Sequence, residues 1–185
     1  EALEKVMLGE KLERKPREEE RRRVAYHETG HALVSEMLRQ GSVSSVTVTP
    51  RGQALGYVRQ NPDGDYYLYT KQQLLDQIAV ALGGAVMEEM FFGSLSTGSK
   101  GDFQQAVDAA RQIIDSGMSA LGVVSREHAP PEDINREVQA IITAQETRVR
   151  QLLGARSSLA QQLAEELLRE EKLSGARFRE LLKAS

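Results

Sequence analysis

Two histidines and a glutamate stand in the stretch AYHETGHALVSEML, within a run that is otherwise apolar at helical spacing. The chain has three histidines, and His27 and His31 are two of them. Residues four apart on a helix lie one turn apart on the same face, so both imidazoles can reach a single ion at about 2.0–2.1 Å. Glu28, beside the first histidine, overlooks that ion without binding it. This position suits a general base acting on water that the metal activates. The polar trio shares its stripe with Val24, Val34 and Leu38, and buried polar groups are costly unless something satisfies them. A metal would satisfy both rings at once. The competing reading is two core histidines hydrogen-bonded to backbone, with a surface glutamate.

A catalytic zinc ion needs a third protein ligand if one position is to stay open. The chain has no cysteine, which removes thiolate ligands and disulfides together. No histidine follows His31 at the spacing of H-E-x-x-H-x-x-G-x-x-H, and His128 sits beside Pro130-Pro131 in an apparent surface loop. An acid on an apolar face is the better source. In GDFQQAVDAARQIID, Phe103, Ala106, Val107, Ala110, Ile113 and Ile114 read as the buried side, and Gln104, Asp108, Arg111, Gln112 and Asp115 as the wet side. Asp102 falls with the buried set. It reads either as the third ligand or as a carboxylate supporting a helix N-terminus capped by Ser99. Glu88 and Glu89 compete for the role, as ligands or as acceptors that orient a histidine, and each reads equally well as an ordinary glutamate near a helix end.

These residues need elements to position them. Pro16 opens a helix with Glu18, Glu19 and Glu20 in its first turn, running to about Gln40 with Gly41 as cap. Val43, Val46 and Val48 predict a strand, Pro50 to Gly52 a turn, and Leu55 to Arg59 a second strand. Thr70 and Gln73 form a capping box for a helix to about Phe91. A Ser/Gly-rich loop over 93–101 precedes a helix from Asp102 to about Met118. From Glu132 to Lys183 the pattern is helical, with breaks near Gly154 and Gly175. The Leu159, Leu163, Leu167 stripe reads as packing against neighbouring helices, with a subunit interface as the alternative. Arg21, Arg22 and Arg23 read as a solvated face.

Composition sets the outer limits. Charged residues are 28% and hydrophobic residues 40% of the 185, as in soluble globular chains. A net charge of −3 gives no argument for nucleic acid or an acidic membrane as partner. The chain has no apolar run near the ~20 residues a membrane span needs, and no P-loop. Opening at Glu1 in mid-pattern, it reads as a piece of something longer.

The segments EALEKVMLG, AYHETGHALV, VTVTPRGQALGYV, LLDQIAVALGGAVMEEMFFG and STGSKGDFQQAVDAARQI, in this order, together resemble the peptidase domain of the FtsH-type ATP-dependent zinc metalloproteases. The resemblance implies a mainly α-helical zinc-peptidase domain with a small β-hairpin. It implies His27, His31 and Asp102 as metal ligands, Glu28 as the catalytic residue and zinc as the cofactor. On that reading residues 1–15 are a linker helix from an upstream ATPase module. Residues 16–185 are the metallopeptidase domain, with 132–185 its C-terminal helical part. The implied function is zinc-dependent endoproteolysis of unfolded polypeptides, within a homo-hexameric, membrane-anchored protease working at the cytoplasmic face of a membrane. Nucleic acid is not an expected partner, and this piece is expected to make no direct membrane contact. The alternative is a non-catalytic scaffold or chaperone-like relative. Thr29, Ala85 and Gly101 depart from the family's usual residues, and the 122–133 stretch is short for it. A substrate strand is expected to pair with the hairpin near Tyr57 to Arg59 or Val46 to Thr49.

Overall fold

A computed structural model describes residues 16–49, 55–61, 68–125 and 128–184. The linker helix expected over 1–15 and the turn expected at Pro50 to Gly52 lie outside the described residues. The described residues form six α-helices and a three-stranded antiparallel sheet, so the chain is mainly α as expected.

Helix α1 (Glu18–Leu38) is the centre of the molecule. Its three N-terminal acids favour the helix dipole, and the Glu20 carboxylate accepts the Arg17 backbone N–H at 2.8 Å. Every residue from Ala25 to Glu36 is buried, because other elements pack around the helix on all sides. Helix α2 (Lys71–Phe92) crosses it most closely. It starts at the predicted capping box, where Gln73 N–H donates to Thr70 Oγ1 and Thr70 N–H to Gln73 Oε1. It ends at Gly93, whose φ of 66° suits a residue without a Cβ. A 3₁₀ turn at Thr97–Ser99 leads into α3 (Lys100–Asp115). Helices α4 (Pro131–Gly154), α5 (Ser157–Glu170) and α6 (Gly175–Lys183) complete the layer. Leu163 and Leu167 are buried in the core shared with α1, which is the packing role expected of that stripe.

The sheet has the order β2-β1-β3, with β1 (Val43–Thr47) central, β2 (Tyr57–Gln60) on one side and β3 (Lys172–Ser174) on the other. The third strand was not expected. Glu171 terminates α5 in the left-handed region at φ 61°, and its carbonyl accepts Val48 N–H and Thr47 Oγ1–H. The expected pairing edge at Val46 to Thr49 is therefore corrected, since Val46 and Thr47 already pair with β2 and β3. Among the described residues β2 and β3 are the two edge strands, and β2 is the one that lies beside the expected site residues.

Two further expectations are corrected. Phe103 is 37% exposed rather than buried, because only the side of α3 bearing Ala106, Ala110, Ile113 and Ile114 meets the core. The arginine run is a solvated face only in part, since Arg21 and Arg22 and their partners stay well exposed whereas Arg23 reaches the buried Glu88. Arg21 pairs with Glu171, Arg22 with Glu165 and Arg23 with Glu88, so each arginine joins α1 to a different point of the fold.

Candidate metal centre

His27 and His31 project from the middle of α1 toward α2, both rings nearly buried at 8% exposure. Each Nδ1 has a fixed acceptor. His27 Nδ1 donates to Glu88 Oε1 at 2.8 Å, and His31 Nδ1 donates to the Val80 carbonyl at 2.7 Å. With protons on Nδ1, both Nε2 atoms of the neutral rings carry lone pairs, and these atoms face each other at 2.9 Å. Two lone pairs at that distance repel unless a metal ion or a proton is held between them.

Asp102 supplies the third donor from the first turn of α3. Its Oδ2 lies 3.2 Å from His27 Nε2 and 3.5 Å from His31 Nε2. The three separations bracket the ~3.3 Å edge of a tetrahedron with bonds of about 2.0–2.1 Å, so the donors fit zinc in spacing as well as in type. His27, His31 and Asp102 form the group among the described residues that could hold a metal ion. Ser99 stands at the N-cap position of α3 but its hydroxyl makes no cap bond, while Asp102 lies in the first turn, where its carboxylate also favours the helix dipole.

Electrostatics agree with a site built for positive charge. Burial opposes a charge on His27, yet its hydrogen bonds to Asp102 and Glu88 outweigh that and raise its pKa to about 9 without metal. Burial would likewise raise the Asp102 pKa, but the two imidazoles hold this carboxyl well below the usual range. Glu88 is 1% exposed and is also kept below its ordinary value, since His27, Arg23 and Ser96 all donate to it. Glu28 goes the other way. Its burial raises the pKa, and the pull of His31 and His27 only partly offsets this.

A cleft of about 970 Å³ opens over the site, lined by Glu28, His31, Asp102, Tyr57, Tyr69 and Ala81 among others. Strand β2 forms one wall. Gly56, at its start, lies so close to α1 that a Cβ there would meet Glu28 Cγ at 2.9 Å. On the opposite side a Cβ at Gly84 would stand 2.6 Å from both His27 Cε1 and His31 Nε2. The small-residue face of α2 is thus where the imidazoles lie.

All four expected site residues therefore meet at one cleft. Of the two competing glutamates, Glu88 touches a histidine, whereas Glu89 turns away to pair with Arg150. Sequence reading missed the Val80 carbonyl, Ser96 and Arg23. The carbonyl has no side-chain signal. Arg23 did have one, since it stands four residues before His27 and so on the same helix face.

The sequence model of Peptidase family M41 matches residues 14–181. Among curated proteins, the chain is 39% identical to the ATP-dependent zinc metalloprotease FtsH of Thermobaculum terrenum, the match taking in 98% of this chain and 31% of that protein. It is 37% identical to the protein of the same name from Syntrophobacter fumaroxidans, over 97% and 32% of the two chains. For the one from Slackia heliotrinireducens the identity is 35%, over 98% and 26%. The chain spans about a third of the length of these relatives. With a site of this donor set on a match that takes in nearly the whole chain, the protein belongs to peptidase family M41.

Proposed function

We propose that this chain is a zinc metalloendopeptidase module in which His27, His31 and Asp102 hold the ion and Glu28 is the catalytic base. The observation that carries the assignment is the convergence of two imidazole lone pairs and one carboxylate on a point beside a buried glutamate. The names of the relatives support zinc over other metals. Zinc in such a site supplies a Lewis acid that acidifies water and polarises a carbonyl. The residues of the chain do the rest. Glu28, whose pKa is raised by burial, takes a proton from water as the water oxygen attacks the scissile carbonyl carbon. It then delivers that proton to the amine nitrogen as the C–N bond breaks. Glu88 and the Val80 carbonyl hold the imidazole rings in the tautomer that leaves Nε2 free.

The substrate is an extended polypeptide. The open edge of β2 beside the cleft supports this, since a strand laid along Tyr57 to Arg59 passes the metal-holding residues. We further propose that the natural protein carries an ATPase module outside this chain, forms a six-fold ring and is anchored at the cytoplasmic face of a membrane. The relatives' names and their greater length support the ATPase. Among the described residues no helix is long and apolar enough to cross a membrane, so the anchor belongs outside them. The test is hydrolysis of casein, an unfolded protein. Cleavage that stops with a chelator and returns with zinc supports the reading, and no cleavage by the zinc-loaded chain contradicts it.

A further inference from the structure

The proposed catalytic reading makes no use of Arg23, yet this residue of α1 reaches Glu88 on α2 and the segment after α2 that leads to α3. It lies on α1 one turn before His27. Its Nη1 donates to Glu88 Oε2 at 2.8 Å and to the Ser94 carbonyl at 2.8 Å, and its Nη2 donates to Ser94 Oγ at 3.1 Å. The guanidinium lies over the Phe92 ring, 4.7 Å from its centroid. The other oxygen of the same carboxylate, Glu88 Oε1, accepts from His27 Nδ1 at 2.8 Å and from Ser96 Oγ at 3.0 Å. One arginine thus fixes the far side of the carboxylate that orients His27. It also ties down the 94–96 segment, which leads through the 3₁₀ turn to Asp102.

We infer that Arg23 is a positioning residue for the metal site, acting through Glu88 on His27 and through Ser94 on the approach to Asp102. The physical basis is the planar fork of the guanidinium, which engages several acceptors in one plane and is held there by the ring beneath it. Without it Glu88 keeps His27 and Ser96 but loses the partner that stops its carboxylate from turning. His27 then presents Nε2 less often in the direction the ion requires. An ordinary surface ion pair would act on stability alone, but the Glu88 end of this one is buried and in contact with a ligand candidate.

This inference rests on His27 being a zinc ligand, and the experiment separates the two claims. Zinc is titrated into the metal-free 185-residue chain against a chromophoric chelator for the parent, His27→Ala, Arg23→Gln, Arg23→Lys, Glu88→Gln and the Arg23→Gln/Glu88→Gln double variant. Melting of each metal-free protein is recorded alongside. Arg23→Gln is expected to bind zinc roughly tenfold more weakly, the low end of what loss of an orienting partner costs. Arg23→Lys keeps the charge but reaches fewer partners at once, and should fall between Arg23→Gln and the parent. In the Glu88→Gln background, removing Arg23 should weaken zinc binding clearly less than it does in the parent. Parent-like affinity in Arg23→Gln overturns the inference, as does an equal loss in both backgrounds. If Arg23→Gln does not fold, Arg23→Lys decides, with parent-like affinity counting against the inference. Full zinc retention by His27→Ala would instead overturn the ligand assignment itself.

Discussion

Gly30 of α1 and Gly83 of α2 meet backbone to backbone. A Cβ placed on Gly30 would lie 2.3 Å from the Gly83 carbonyl oxygen, and one on Gly83 would lie 2.7 Å from the Gly30 oxygen. This contact sets how close the two helices come, and so brings the His31 ring to the Val80 carbonyl and the His27 ring to Glu88. Gly30→Ala and Gly83→Ala should each cost roughly 3 kcal/mol in urea unfolding, because backbone cannot move aside as a side chain tip can. Gly84→Ala should differ in kind. Its methyl meets the imidazoles rather than backbone, so zinc affinity should fall by a larger factor than stability does. Gly101→Ala is the control, since nothing lies within 4 Å of its Cβ position.

Zinc binding should release a proton. In the metal-free protein His27 has a pKa of about 9, raised above the ordinary 6.5. The raised value means the proton stabilises the metal-free fold fully below about pH 6.5, and that this contribution is lost as pH rises through about 9. The ion must displace this proton. Apparent zinc affinity should therefore climb about tenfold per pH unit between those limits and level off above about pH 9. Calorimetry in buffers of different ionisation enthalpy should find about one proton released per zinc at pH 7.5. Release near zero would mean that His27 is neutral without metal.

The three acids near the site should separate cleanly. Asp102→Ala should lose most zinc affinity, because it removes a donor. Support of the helix end alone would cost about 1 kcal/mol of stability with zinc retained. Glu88→Gln should weaken zinc by roughly ten- to a hundredfold, since His27 loses its charged acceptor. Glu89→Ala should leave zinc binding unchanged, because its carboxylate pairs with Arg150 away from the rings. Zinc content and melting temperature measured on the same samples distinguish these outcomes.

Much of this site was legible from residue types and spacing. His27, Glu28 and His31 are one local motif, and a helix turns that spacing into a shared face whatever surrounds it. Asp102 was only half legible. Its place on an apolar face left two roles open, and the ligand role came from the resemblance of the whole chain to a family. Phe103 shows the limit of the helical wheel, because α3 is covered on too narrow a side to take in every apolar residue. Strand β3 is three residues long, too short for alternation to register, and exists because β1 offers it an edge. The arginine run misled only at Arg23, since Arg21 and Arg22 are solvated as expected. Their partners come from residues 88, 165 and 171, which no local pattern connects.

Access should depend on substrate folding, whereas chemistry should not depend on nucleotide. The cleft is open and its proposed machinery is complete within the chain, but an extended segment must lie along β2 to reach it. Folded proteins offer such a segment only by local unfolding. The chain with zinc should cleave a permanently unfolded protein slowly without ATP, and leave the folded form of the same protein intact with or without ATP. A requirement for ATP with the unfolded form would show that the site is incomplete in this chain.

The central claim is that His27, His31 and Asp102 hold zinc while Glu28 moves the proton. Glu28→Gln tests it most directly, since the amide keeps the size of the side chain but cannot act as a base. Zinc content and casein hydrolysis are measured on one sample of the variant beside the parent. The account predicts about one zinc per chain in both proteins, with hydrolysis by the variant lower by ~10² or more, as loss of a general base commonly costs. Hydrolysis near the parent rate at full zinc occupancy would contradict it, by showing that some other group takes the proton from water.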